Sequence, residues 1–145
     1  MVNEFHAVIE ELGGKPVLGH TLRTDRDLQQ AIREGFPQTV VRELMRSADL
    51  TLKELAGSLD ISARSLQRRR SQGRLASSES DRLYRLARII AVAKHYLGDD
   101  GAATRWLKRP NRALDGTAPL EALDTELGTR AVENILGRIA YGGVS

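Results

Sequence analysis

The stretch Leu55-Ala56-Gly57-Ser58-Leu59-Asp60-Ile61-Ser62-Ala63-Arg64-Ser65-Leu66-Gln67-Arg68 decides the architecture of this 145-residue chain. Just upstream, Thr51 and Glu54 form the Thr-x-x-Glu pattern of a capping box and open a helix over Leu52 to Leu59. Ser62 caps a second helix, which the pattern carries to near Gly73. Two short helices that cross steeply need a small residue where they approach, and Ala56 provides it. They also need apolar anchors around a tight turn, and Leu55, Leu59, Ile61 and Leu66 stand at those places. Asp60 occupies the turn position where glycine is usual; aspartate tolerates the left-handed conformation better than most residues. Arg69 falls where another apolar anchor is expected, which predicts a second helix that is shorter or rotated.

This layout resembles a DNA-binding helix-turn-helix, whose second helix projects its outer face into the major groove. Arg64, Gln67 and Arg68 fall on that face, where arginine grips guanine and glutamine adenine. Arg70, Ser71 and Arg74 are placed for phosphates. The alternative for the same residues is a helix hairpin kept for dimerisation, its arginines merely solvated.

Charge is distributed in favour of the first reading. The net charge is +3, yet residues 1–36 carry −2, residues 37–75 carry +4, residues 76–98 carry +2 and residues 99–145 carry −1. No acid occurs between Ile61 and Ser78. Arginine makes up most of the basic residues, and its planar fork suits phosphates and guanine edges.

Working outward, helical spacing dominates and alternating strand patterns are nearly absent. Phe5, Val8, Ile9 and Leu12 mark a first helix that Gly13-Gly14 ends, and Gly13 to Leu22 reads as a loop. Thr24 caps a helix through Leu28 and Ile32 to Gly35, and Pro37 sits at the start of another through Val40, Val41 and Leu44. Ser77 or Ser78 caps the longest segment, whose stripe of Leu83, Leu86, Ile89, Ile90 and Ala93 ends at Gly98. Shorter helices follow around Ala102 to Lys108 and Pro119 to Asp124, then a last one from Arg130 to Tyr141. Tyr84 and Tyr96 on the long helix are expected to pack. The fold class is all-α, a multi-helix protein of about eight helices with a seam near Gly98 to Gly101. Leu83, Leu86 and Ile90, with Val8 and Leu12, offer a self-complementary surface for a homodimer on palindromic half-sites.

After Gly98 the sequence changes character. Pro110-Asn111 stops a helix and starts a turn; Gly116-Thr117 turns the chain and caps a helix whose first turn holds Pro119. The pattern Trp106-Leu107, Pro110-Asn111, Ala113-Leu114, Gly116-Thr117-x-Pro119-Leu120, Leu123, Thr125, Gly128, Val132 and Tyr141-Gly142 strongly resembles the Xre/ParS-type antitoxins of bacterial toxin–antitoxin operons, partners of RES-domain toxins. Arg74-Leu75 followed by Glu79-Ser80-Asp81-Arg82-Leu83 is similar to the start of that family's central helix, so the resemblance covers roughly Phe36 to Gly142.

The resemblance implies a helix-turn-helix part and a small helical C-terminal toxin-binding part. It implies a RES toxin that degrades NAD, neutralisation by direct contact, and repression of the operon. The resulting division is an N-terminal helical arm over 1–35, a DNA-binding and dimerisation region over 36–98, and the antitoxin domain over 99–145. Arg105, Arg109, Asn111 and Arg112 are the candidate polar rim for the toxin, with Trp106 and Leu107 holding the module's own core. The tail Tyr141-Gly142-Gly143-Val144-Ser145 is a candidate to reach into the toxin's cleft, pairing with groups that hold NAD phosphates; an ordinary frayed terminus is the alternative. A stand-alone transcription regulator, or a scaffold using the same module on another partner, is the alternative function.

Other chemistries find no footing. The chain has no cysteine, and His6, His20 and His95 lack a second histidine at metal-binding spacing. Gly13-Gly14-Lys15 runs into proline and is no phosphate loop, and Asp124, Glu126 and Glu133 have no paired-acid spacing. No apolar run reaches the ~18 residues of a membrane helix, and no leader pattern opens the chain. A cytoplasmic binding protein without catalytic residues, metal or cofactor is expected.

Overall fold

The computed structural model describes residues 4–69 and 71–142. Among them are ten α-helices, one 3-10 turn and no strand. In order these are α1 (Glu4–Glu11), α2 (Gly14–Leu18), α3 (Asp25–Glu34), α4 (Thr39–Ser47), α5 (Leu52–Ser58) and α6 (Ala63–Arg69). Then come α7 (Ser77–Leu97), α8 (Asp100–Lys108), the 3-10 turn Arg112–Leu114, α9 (Pro119–Ala122) and α10 (Glu126–Ala140). The all-α reading holds, and no described helix is long and apolar enough to cross a membrane.

The 21-residue α7 is the spine, with α1, α3, α8 and α10 packed along it. Its stripe Leu83, Leu86, Ile89, Ile90 and Ala93 is fully buried, which makes it the backbone of a single apolar cluster. That cluster runs from Val8 and Leu12 through Phe36, Leu44, Leu55 and Leu66 to Leu107, Val132 and Leu136. The surface expected to pair two copies is therefore corrected. Val8, Leu12, Leu83, Leu86 and Ile90 all lie inside one chain, because α1 folds down onto α7 and covers the stripe.

Several ends follow from local chemistry. Thr24 and Asp27 cap α3 reciprocally, the Thr24 hydroxyl accepting from Asp27 N–H at 3.1 Å. Two backbone hydrogen bonds draw the Asp27 carboxyl below the usual carboxylate range. Other ends depart from expectation. Gly14 to Leu18 forms a helical turn rather than the loop that the glycines and proline of this stretch predict, because Val17 and Leu18 turn inward to pack on the core. The N-cap position of α7 is Ala76 rather than a serine; Glu79 reaches back to accept its N–H at 2.8 Å. Helix α10 begins at Glu126, since Thr125 Oγ1 accepts the Gly128 N–H at 3.0 Å and starts it before Arg130. Ala118, not Thr117, precedes Pro119 at the start of α9.

Long-range ties fix the segments before and after the helix-turn-helix on the spine. Gly35, at φ 90°, lets the chain cross Leu75 so closely that a Cβ would fall on the Leu75 carbonyl oxygen. Leu75 N–H then donates to the Phe36 carbonyl at 2.9 Å, and Gln38 N–H to the Gly73 carbonyl at 2.8 Å. Fully buried Ser80 on α7 accepts the Phe36 N–H at 2.8 Å. A second tie joins α1, α4 and α7: Lys94 Nζ lies 2.9 Å from Glu11 Oε1 and donates to Ser47 Oγ at 2.8 Å.

Candidate functional site

Helices α5 and α6 pack against each other, and Ala56 is buried. Thr51 and Glu54 cap α5 reciprocally at 3.1 and 2.9 Å. Burial raises the Glu54 pKa, but the Thr51 N–H and the Lys108 ammonium outweigh it and hold the carboxyl below its usual value. Arg82 of α7 closes the other end of α5 by donating to the Leu59 carbonyl at 2.6 Å. Asp60 adopts φ 56°, the left-handed geometry that the turn requires. Ser62 Oγ accepts from Ser65 N–H at 3.0 Å and starts α6.

Leu66 is buried, which rotates Arg64, Gln67 and Arg68 onto the exposed side of α6. Arg69 does not seek an apolar partner; its Nε donates to Glu79 Oε2 at 3.0 Å and its Nη1 to Gln72 at 3.0 Å. The arginine at the anchor position thereby ties the end of α6 to the start of α7. Ser71 is exposed, its hydroxyl donating to the Arg68 carbonyl at 2.9 Å. Arg74 is exposed too, but its Nη1 donates to the Gly35 carbonyl at 2.8 Å. Arg70 lies outside the described residues.

In the C-terminal part, Asn111 organises the turn. Its side chain accepts from Ala113 N–H at 2.9 Å, its carbonyl from Gly116 N–H at 2.9 Å, and its N–H donates to Thr117 at 3.1 Å. The turn brings Arg109, Pro110, Asn111 and Arg112 around half-buried Trp106 in an open groove. Helix α10 completes its wall with Ile135 and Arg138. Arg105 is exposed but is not part of that wall. Tyr141 is 91% exposed and borders a second, shallower depression with Asn134, Gly137 and Arg138. Gly142 is exposed, while Gly143, Val144 and Ser145 lie outside the described residues.

Arg138 thus joins the two hollows, and sequence reading missed it. The available signal was the helical spacing of Asn134, Arg138 and Tyr141, which places them on one face. Tyr96 also departs from expectation: it is exposed, its ring edge-on to His95 at 5.0 Å.

The two parts meet at α5. Buried Ser58 donates to the Leu120 carbonyl at 3.3 Å, and Lys108 Nζ sits 3.2 Å from Glu54 while also donating to the Asp49 carbonyl.

Both parts match known protein families. The Antitoxin Xre-like helix-turn-helix domain matches residues 27–88, and the Antitoxin Xre/MbcA/ParS C-terminal toxin-binding domain matches residues 92–142. An Antitoxin Xre from Pseudomonas putida is 33% identical over 140 residues, which cover 97% of this chain and 85% of that protein. The chain belongs to the antitoxin Xre family. A second Antitoxin Xre, from Photorhabdus laumondii, is 35% identical over 120 residues, 81% of each chain. The fold also resembles a chain in the crystal structure of the M. tuberculosis MbcT-MbcA toxin–antitoxin complex, with a TM-score of 0.55 at 23% identity. That likeness covers 74% of this chain and 96% of the other. On this antitoxin Xre member the two matched domains divide within α7, so the spine belongs to both.

Proposed function

We propose that this antitoxin acts in the cytoplasm as a binding protein, neutralising a RES-domain toxin that degrades NAD and repressing its own operon. The toxin is held by residues 99–145, through Arg109, Asn111 and Arg112 around Trp106, with Arg105 at the edge and Tyr141 to Ser145 as the reaching tail. The operator is read by Arg64, Gln67 and Arg68 of α6, with Arg70, Ser71 and Arg74 on phosphates. Two copies act on a palindromic operator, through a surface other than the buried α7 stripe.

One observation carries the reading. A helix-turn-helix whose α6 exposes Arg64 and Arg68 opposite buried Leu66 shares one spine with a domain of the toxin-binding family. The rim around Trp106 has no acid among its lining residues, so it suits an acidic partner surface. Co-expression with the toxin of the adjacent reading frame, followed by affinity capture and growth measurement, tests it. Rescue of growth with a co-purifying toxin is expected; continued growth arrest and no captured toxin would remove the neutralising role.

A further inference from the structure

We propose that the outward face of α10 is a specificity-determining part of the toxin interface, in which Gly137 is a seat for the partner's chain and Arg138 its charge contact. The proposal rests on the toxin-binding reading above and adds a place and a chemistry to it. Helix α10 buries Thr129, Val132, Ile135 and Leu136. Its opposite side carries Leu127, Ala131, Asn134, Arg138 and Tyr141, spaced by four and three residues and therefore in one row. Leu127 is 74% exposed and Tyr141 91%, the two most exposed large apolar side chains among the described residues.

Gly137 lies beside this row, in the last turn of a 15-residue helix, where it keeps helical geometry although glycine is a poorer helix former than alanine. Two glycines of α10 separate cleanly by what surrounds them. At Gly128 a Cβ would run into the Ala122 carbonyl, so packing against α9 requires glycine there. At Gly137 a Cβ would meet nothing within 4 Å, so nothing in the described part of this chain requires it. The missing side chain instead opens the depression bordered by Asn134, Arg138 and Tyr141. A bare patch of helix backbone beside an exposed tyrosine admits close approach by another chain.

The chemistry of that chain follows from the surroundings. Arg138 also lines the Trp106 groove with Arg109 and Arg112, and neither hollow contains an acid. No ion pair engages these three arginines among the described residues. The occupant is a toxin segment bearing a carboxylate for Arg138, with backbone or a flat side chain laid over Gly137 between Asn134 and Tyr141.

The test uses opposite signs. Gly137→Ala and Gly137→Leu add helix-favouring side chains into open space, so each raises the thermal midpoint of the free antitoxin by about 1–4 °C. Gly137→Leu weakens binding of the adjacent-frame toxin, in an inactive form, about tenfold or more, and Arg138→Glu does the same by charge reversal. Operator affinity stays unchanged in both. Wild-type affinity in Gly137→Leu, with the wild-type antitoxin binding the toxin, overturns this inference alone. Absence of toxin binding by the wild-type chain overturns it together with the toxin-binding reading. Loss of operator binding in Gly137→Leu assigns the face to DNA and overturns it as well.

Discussion

Glu79 offers the sharpest test of how the recognition helix is held. Its carboxylate does two jobs: Oε1 accepts the Ala76 N–H at 2.8 Å, and Oε2 accepts Arg69 Nε at 3.0 Å. The Glu79 side chain is 12% exposed, whereas that of Arg69 is 43% exposed. The cap is a charge-assisted hydrogen bond on a nearly buried group, worth about 1.5–2 kcal/mol. The ion pair is half in solvent, so it is worth about 0.5–1 kcal/mol. Glu79→Ala should therefore cost about 2–3 kcal/mol, a fall of roughly 5–10 °C in Tm at this chain length. Glu79→Gln keeps an oxygen for Ala76 and loses the charge, so it should cost about half as much. Urea unfolding followed by circular dichroism measures both. A double-mutant cycle of Arg69→Met with Glu79→Gln should return a coupling near the ion-pair value. Equal stabilities for Glu79→Ala and wild type, or strictly additive effects in the cycle, would refute the assignment.

Further outcomes are expected at the helix-turn-helix and at two ion pairs. Arg64→Ala and Arg68→Ala should each cost about 1–3 kcal/mol of operator affinity and relax base preference, whereas Arg70→Ala should weaken all sequences and lower the salt slope by about 1; gel-shift titrations across salt separate these. Lys94→Met leaves the nearly buried Glu11 carboxylate without its cation and should destabilise the fold by about 3–5 kcal/mol, read by urea unfolding. The folded-state pKa of Glu54 is depressed below the ordinary glutamate value of 4.5, so its contribution is complete above that value and lost as pH falls through the lower folded one. Acid titration should show Glu54→Gln with less stability near neutrality and a shallower decline below pH 4.5.

The sequence displayed what is decided within a few residues. Thr24, Thr51 and Ser62 cap helices through side chains reaching their own next turn, and Asp60 takes its left-handed turn conformation alone. The buried stripe of α7 was legible in its spacing, but not what would cover it; α1 does so from the same chain. Arg69 looked like a defect at an anchor position because its partner, Glu79, belongs to the next helix. Gly35 and Ser80 gain their roles only when Leu75 and Phe36 arrive from far along the chain. In the C-terminal part, the Pro110-Asn111 turn and Trp106 could be read directly, whereas the wall supplied by Ile135 and Arg138 depends on how α10 packs. Pattern shows a helix's faces; only packing shows which neighbour each face meets.

The central claim is most directly tested by the NAD content of cells expressing the adjacent-frame toxin with and without this antitoxin. NAD should collapse with the toxin alone, be held near its starting level by the wild-type chain, and stay protected when Arg64 and Arg68 are both alanine. Collapse at the same rate with the wild-type chain present at equal or greater abundance would contradict the claim.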